Sequence, residues 1–93
     1  MALRKHLEQK INAALSPLYL SVVDETWKHV GHAGAVSGKG HFTVHVVSPR
    51  FEGVLRLNRN RMIFEILKEE METCIHALSI RAETPSEWND EKA

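Results

Sequence analysis

The feature that most constrains the fold of this chain is a glycine-rich segment between two stretches of alternating residues. Residues 18–24 and 41–47 alternate apolar side chains with other types, which is the pattern of a half-buried strand. Residues 25–40 lack any periodicity and contain four of the five glycines, as expected of a long loop. The sequence therefore predicts a hairpin of two strands joined by a long loop.

Helical periodicity predicts two longer helices, over residues 2–15 and about 54–73. The first helix should stop before Pro17, because proline disfavours the helical conformation of the preceding residue. Residues 75–82 are predicted to form a third strand with Leu78 and Ile80 in the core.

The last element is a short helix that starts after Thr84, with Pro85 at its first position and Glu87 three residues after the cap. The predicted order is α-β-β-α-β-α. We expect a single domain over residues 1–93, with an ordered core at about 3–88. In the second strand, the residues expected in the core are Phe42, Val44 and Val46.

The charge and cysteine content exclude several classes of protein. Twelve basic and twelve acidic residues cancel, whereas proteins that bind mainly the phosphate backbone are usually basic. The single cysteine, Cys74, rules out an internal disulfide and fits a reducing compartment. No apolar run is long enough to span a membrane. No recognisable catalytic arrangement is present, so we expect a protein that is not an enzyme. Because no targeting presequence is visible, the cytoplasm is the default location. A mature mitochondrial or plastid form is the alternative.

Six histidines are present, and three of them are candidate metal ligands. His29 and His32 form a His-x-x-His pair in the glycine-rich segment. They are either solvated loop residues or a source of one nitrogen ligand. His76 lies where the second helix gives way to the third strand. Considered alone, it is either a histidine that closes the helix C-terminus or a ligand.

The remaining histidines have simpler interpretations. His41 and His45 should lie on the outer face of the second strand, where two imidazoles could approach a zinc ion, but no third ligand is evident. His41 also borders the loop. His6 lies on the polar side of the first helix and is expected to be solvated. Cys74 is expected to be a small buried residue at the helix end.

Read in order, the sequence resembles the BolA-like family over about residues 3–88. The first half of the resemblance is carried by DET (24–26), HVGHAG (29–34), HFTV (41–44) and VSPRFEG (47–53). The second half is carried by LNRNR (57–61), LKEE (67–70), IHALSI (75–80) and TPSEW (84–88).

The resemblance implies a fold similar to the class II KH domain, an α+β (α/β) arrangement of a three-stranded mixed sheet with helices packed on one face. It also implies a partnership with a monothiol glutaredoxin around a shared [2Fe–2S] cluster, with glutathione held through the partner. In this family pattern His76 is a cluster ligand, and either His29 or His32 supplies the second one. Two imidazoles on one iron would raise the reduction potential of the cluster and make its retention depend on pH.

One position departs from the family pattern, because Asn60 stands where an Arg-His-Arg string usually has its histidine. The flanking residues, Arg59 and Arg61, are candidates for a basic patch that docks a partner. The alternative function is a KH-like nucleic-acid-binding transcriptional regulator, supported only weakly by the GxxG string at residues 31–34. A plain zinc-binding domain is the third possibility.

Overall fold

The computed structural model describes residues 3–26 and 40–92, and it confirms the predicted mixed α+β fold. The elements in chain order are α1 (Leu3–Leu15), β1 (Tyr19–Asp24), β2 (Gly40–Val47), a 3₁₀ turn (Pro49–Phe51), α2 (Arg56–Ile66), α3 (Lys68–Thr73), β3 (Ile75–Glu83) and α4 (Pro85–Lys92). The sheet has the order β1-β2-β3, with β1 antiparallel and β3 parallel to β2. The predicted three-stranded mixed sheet is therefore confirmed.

The core lies between one face of the sheet and the helices that cover it. The central strand β2 contributes the three residues predicted from its alternation, and all three are buried: Phe42, Val44 and Val46. The amphipathic face of α1 is buried against them through Leu7, Ile11 and Leu15. The alternation of β2 and the helical period of α1 thus select the same core.

The two outer strands differ from the prediction in detail. Leu18, which the sequence placed at the start of the first strand, precedes β1 and is 63% exposed. In β3, Leu78 and Ile80 pack against the core but remain half-buried, whereas Ile75 and Ala82 are buried. Two pairs of apolar side chains therefore anchor this strand.

The prediction of one continuous helix over residues 54–73 is wrong, because the segment forms two helices that meet at Leu67. The backbone of Leu67 has φ −103° and ψ 20°, outside the helical range. Its N–H still bonds to the carbonyl of Ile63, and its own carbonyl accepts from Met71. The apolar spacing runs on across this break, so the pattern of residue types does not reveal it.

The C-terminal half of this segment is tied to α1 by a buried carboxylate. Glu70 of α3 bonds to His6 Nε2 at 2.6 Å and to Lys10 Nζ at 2.8 Å. Burial alone would raise the pKa of Glu70, but the bonds from Lys10 and His6 outweigh it and hold the pKa below its usual value. The expectation that His6 is merely solvated is therefore wrong, because its ring is held between two helices.

The predicted start of the last helix is confirmed in its atomic detail. The backbone N–H of Glu87 donates to the Thr84 hydroxyl, and the N–H of Thr84 donates to the Glu87 carboxylate at 2.8 Å. This reciprocal pair satisfies two N–H groups that a helix start would otherwise leave unbonded. Trp88 of the same helix stacks on Tyr19, with ring centroids 5.2 Å apart. α4 therefore also contacts the first strand.

Arg59 takes part in the interior of the protein rather than in its surface. Its guanidinium donates to the carbonyl of Ala82 at 3.1 Å and forms an ion pair with Glu87 at 2.7 Å, while Nε donates to the carbonyl of Val54. The residue is only 6% exposed. Arg59 is thus unavailable for the docking patch predicted from the sequence, because its guanidinium is bonded to the segment before α2, to β3 and to α4. Arg61 is exposed, and its part in a docking patch stays a prediction.

Acid should weaken the attachment of α4. The hydrogen bond from Arg59 is the main cause that lowers the pKa of Glu87 from 4.5 to about 2. The carboxylate therefore contributes fully to stability above pH 4.5 and loses that contribution as the pH falls towards 2. We expect the difference in free energy of unfolding between the wild type and Glu87→Gln, measured by urea denaturation, to narrow over this range. A difference of constant size would contradict this role for Glu87.

Candidate metal centre

The histidine singled out by the sequence, His76, lies at an irregularity in the pairing of β2 with β3. Gly40 pairs with Ile75, but the next residue of β2, His41, pairs with Ala77. β3 therefore has one more residue than β2 at this point, and His76 has no Cα partner on β2. This arrangement is a β-bulge, a feature that often re-aims a side chain.

The bulge changes which face the side chains of β3 occupy. Ile75 is buried, but His76 and Ala77 are both exposed, and Leu78 points back to the core. Strict alternation would instead have buried either His76 or its neighbour. As a result the ring of His76 lies beside that of His41, with ring centroids 5.1 Å apart and planes inclined by 53°.

The backbone of His41 is fixed from the end of β1. Its N–H donates to the hydroxyl of Thr26 at 3.0 Å, and its carbonyl accepts from the N–H of Glu25 at 2.8 Å. Thr26 is in turn held by Asp24, whose carboxylate accepts from both its N–H and its hydroxyl. The Asp-Glu-Thr string therefore positions the first residues of β2.

Gly40 allows the strands to meet so closely at this end of the sheet. A Cβ atom on Gly40 would lie 2.5 Å from the ring of Phe42, which is packed in the core. The N–H of Gly40 donates to the carbonyl of Cys74 at 2.8 Å. A side chain here would displace the Phe42 ring, and with it the junction between α3 and β3.

A cleft of about 260 Å³ lies beside His41. The residues that line it are Glu25, His41, Phe42, Thr43, Ala77 and Ser79. The hydroxyl of Thr43 donates to the carboxylate of Glu25, which keeps this negative charge at the cleft. The cleft thus offers hydroxyl, carboxylate and imidazole groups on the face of the sheet opposite the core.

The other candidates from the sequence have different positions. His29 and His32, with the whole GxxG string, lie outside the described residues. Cys74 is only partly buried at the end of α3, and its sulfur lies 3.1 Å from the hydroxyl of Thr73. The described residues contain no group of three histidine, cysteine or acidic side chains placed to hold a metal ion.

His45 has an acidic partner of its own. Its Nε2 lies 2.5 Å from the carboxylate of Glu83, and its ring meets Tyr19 edge-on. Burial, together with the nearby Arg81, lowers the pKa of His45. His45 is thus engaged with Glu83, and the ring beside that of His41 belongs to His76. From the sequence, His41 could be placed only at the start of its strand, beside the loop. The β-bulge that brings His76 next to it is not marked by any distinct sequence motif.

The groups at this end of the sheet fit one side of an iron–sulfur cluster. Imidazole is a known ligand for iron in such clusters, and His76 is exposed, so a second protein can reach it. The two neighbouring imidazoles of His41 and His76 would not complete the coordination of two iron atoms. Any such cluster therefore needs donors from outside the described residues, from a partner, or from both.

The fold and the site define a class of small α+β domain with one mixed three-stranded sheet and histidines at one end of it. The family model described as BolA-like protein matches residues 11–87. The chain therefore belongs to the BolA-like family. None of the helices in the described residues is long and apolar enough to cross a membrane.

The relatives support the same assignment at the level of sequence and of structure. The DNA-binding transcriptional regulator BolA of Escherichia coli K12 is 46% identical over 88 residues, covering 95% of this chain and 81% of the relative. Protein BOLA1, chloroplastic, of Arabidopsis thaliana is 39% identical over 84 residues, covering 87% of this chain but only 52% of the relative. The solved BolA domain of SufE1 from Arabidopsis thaliana has a TM-score of 0.83 at 34% identity, covering 94% and 96% of the two chains.

Proposed function

We propose that this chain is a non-enzymatic adaptor that pairs with a monothiol glutaredoxin and holds a [2Fe–2S] cluster jointly with it. The cluster would serve iron–sulfur cluster assembly or trafficking, or iron sensing. His76 and one histidine of the 29–32 string would be the ligands from this chain. The glutaredoxin cysteine and the glutathione bound to it would supply the others.

The observation that carries this proposal is the position of His76. The bulge presents its imidazole on the surface, at the end of the sheet where β1 and β2 leave and enter the segment that contains His29 and His32. A ligand arm from that segment therefore starts close to His76. Because the side chain of His76 is exposed, a second protein that carries the other ligands can reach it.

Imidazole ligands determine what this chain adds to the cluster. With His76 and a loop histidine as its ligands, this chain would hold a cluster whose one-electron chemistry lies at a higher potential than that of a cluster held by thiolates alone. His76 contributes a neutral donor, so the site carries less negative charge. Protonation of the imidazole competes with binding, so acid favours release.

Replacement of His76 tests the proposal directly. The complex would be reconstituted from the chain, a monothiol glutaredoxin, glutathione, iron and sulfide, and followed by its visible absorption and circular dichroism. We expect His76→Ala to lose the cluster at least about 10-fold faster than the wild type, because a direct ligand is missing. Glu72→Ala, a substitution of an exposed residue on α3 outside the cleft, is the control and should leave the rate unchanged.

Variants of the loop histidines and of the cysteine test the rest of the ligand assignment. One of His29→Ala and His32→Ala should cause partial loss, since the other imidazole can move into its place, and the double variant should cause almost complete loss. Cys74→Ser should leave the spectrum unchanged. If His76→Ala has no effect while Cys74→Ser abolishes the cluster, this ligand assignment is wrong.

The name of the Escherichia coli relative favours a second candidate, a nucleic-acid-binding transcriptional regulator. The balanced charge of this chain opposes it, since neutralising several phosphates requires a basic surface. Titration with duplex DNA at increasing salt separates the two candidates. Steeply salt-dependent DNA binding without any glutaredoxin complex would replace the first proposal with the second.

The compartment is part of the same proposal. A reducing compartment suits a chain with a single cysteine, and we propose the cytoplasm. A mature organellar form is the alternative, since the Arabidopsis relative is named chloroplastic.

A further inference from the structure

The outer edge of β1 lacks the features that usually protect a free strand edge. The order β1-β2-β3 gives β1 and β3 one outer edge each. Proteins commonly protect such edges with charged side chains, proline or a bulge. β3 has both a bulge and Arg81, whereas β1 pairs with β2 without a register shift and has its one charged residue, Asp24, at its end. Among the described residues, only β2 forms backbone hydrogen bonds with β1.

Alternate residues of β1 direct their backbone groups away from β2. The N–H of Glu25 donates to the carbonyl of His41, and the pairing of β1 with β2 continues from there in regular register. In an antiparallel ladder, every second residue exchanges hydrogen bonds with the partner strand. The odd-numbered residues of β1 therefore bond to β2. The outer edge presents the N–H and C=O groups of Leu20 and Val22.

The side chains on the face of β1 opposite the core are suited to an intermolecular contact. Tyr19 and Val23 are large apolar residues that are both exposed, and the small Ser21 lies between them. Trp88 stacks on the ring of Tyr19, and the ring of His45 meets it edge-on. These contacts hold the ring in place, so it has less freedom to lose when another molecule packs on it.

The pattern of β1 is complementary to itself when two copies run antiparallel with Ser21 opposite Ser21. Tyr19 of each copy then lies opposite Val23 of the other, which gives two pairs of an aromatic with a β-branched residue, a combination that stabilises sheets. Ser21 falls at a pair without direct hydrogen bonds, where the Cα atoms are only about 4.5 Å apart and a small side chain fits.

The same register satisfies the backbone and keeps like charges apart. Leu20 of each copy lies opposite Val22 of the other, so their outward N–H and C=O groups can bond to each other. The two Asp24 carboxylates lie at opposite ends of the paired strands, because the strands are antiparallel. The charge of β1 therefore does not oppose its pairing with a second copy.

We propose that two copies of this chain associate through their β1 strands, centred on Ser21, to form one continuous six-stranded sheet. The same surface serves both copies, so the assembly closes as a two-fold symmetric dimer. Only one short strand from each copy takes part, which makes the interface small and the dimer weak, with a dissociation constant of about 10 µM to 1 mM. The association requires neither a glutaredoxin nor a cluster.

Sedimentation equilibrium of the full chain tests the proposal over about 10 µM to 1 mM, a range that covers weak association. A reducing agent prevents cross-linking through Cys74. We expect a monomer–dimer equilibrium, and the amides of Leu20 and Val22 should exchange with solvent more slowly as the concentration rises. A chain that stays monomeric would overturn the proposal. Fast exchange of these amides would then leave the edge to an extended segment of another protein, and slow exchange would mean that this chain covers it.

Opposite charges at the centre of the interface test the register. Ser21→Lys and Ser21→Glu each place like charges opposite one another in a dimer, so each variant alone should have its dissociation constant raised at least tenfold. An equimolar mixture of the two should form a heterodimer, because the charges are then complementary. Dimers that persist in both single variants would overturn the proposal.

A lysine at the end of the interface gives a second test with a matched control. Val23→Lys adds a charge opposite Tyr19 of the second copy and should also raise the dissociation constant at least tenfold. Leu57→Lys makes a similar exchange at an exposed residue of α2 and should leave the dimer unchanged. Circular dichroism and the thermal midpoint at low concentration identify any variant that fails to fold, and the comparison then uses the others. Equal weakening by Val23→Lys and Leu57→Lys would contradict an interface at β1.

Discussion

Replacing Arg59 with alanine should lower the free energy of unfolding by about 3 kcal/mol, near the lower limit for breaking a buried ion pair. The substitution leaves the carbonyls of Ala82 and Val54 without a donor and leaves Glu87 without its main counter-charge. Glu87 keeps about a third of its side chain in water, so it is partly resolvated, which holds the loss to that limit. Urea denaturation near neutral pH measures the change.

Arg56 provides the control for Arg59, because it approaches the same carboxylate from the surface. Its guanidinium lies 3.5 Å from Glu87 and its side chain is 65% exposed. Exposed ion pairs contribute about 1 kcal/mol at most, so Arg56→Ala should cost little. Arg59→Lys should cost an intermediate amount, because lysine keeps the charge but lacks the planar fork that reaches several acceptors. Equal losses in Arg59→Ala and Arg56→Ala would show that burial of the pair is unimportant.

Leu67→Ala should be comparably severe, with a loss of about 2–5 kcal/mol as for other large-to-small changes in a core. Leu67 is fully buried at the junction of α2 and α3, within the same cluster as Leu7 and Ile63. Removing its side chain leaves a cavity among other fully buried core residues at the junction of the two helices. Thermal or urea denaturation gives the loss directly.

Two residues of α2 provide comparison variants for Leu67→Ala. Leu57→Ala makes the same chemical change at a residue that is 64% exposed, and it should cost less than about 0.5 kcal/mol. Ile66→Ala removes a partly buried side chain beside Leu67, so its cost should lie between the two. A loss at Leu67 no greater than that at Leu57 would mean that the helix faces are assigned incorrectly.

The sequence predicted the sheet and its core well, because β2 is a regular strand that is buried on one side. Phe42, Val44 and Val46 show the period of two without interruption, and the structure buries all three. The start of α4 was equally predictable, since Thr84, Pro85 and Glu87 each occupy the position that their chemistry favours. Local rules were sufficient in both cases.

The burial of charged side chains could not be predicted from the sequence where their partners are distant along the chain. Arg59 lies in a run of arginines and was expected to face solvent, but it is one turn before the buried Ile63 and reaches Glu87 at 2.7 Å. Glu70 likewise meets His6 and Lys10 across more than half the chain. No local sequence pattern identifies such pairs, because each charged residue taken alone is of a type that is usually exposed.

The histidine pair is an intermediate case. The interrupted alternation of β3 was visible in the sequence, since Ile75 is out of phase with Leu78 and Ile80. Such a phase change is the expected sign of a bulge, but it does not show which strand lies alongside. The neighbour of His76 became evident only with the parallel pairing of β2 and β3.

Because of the bulge, His76 could be gained or lost in evolution without a change in the pairing of the other residues of β3. Every residue of β3 except His76 has a partner on β2, and the pairs on either side of it are consecutive along β2. Deleting this one residue would join those pairs into a regular ladder and restore strict alternation from Ile75 to Leu78. A single-codon insertion or deletion could therefore add or remove this exposed histidine while the flanking strand pairs keep their register.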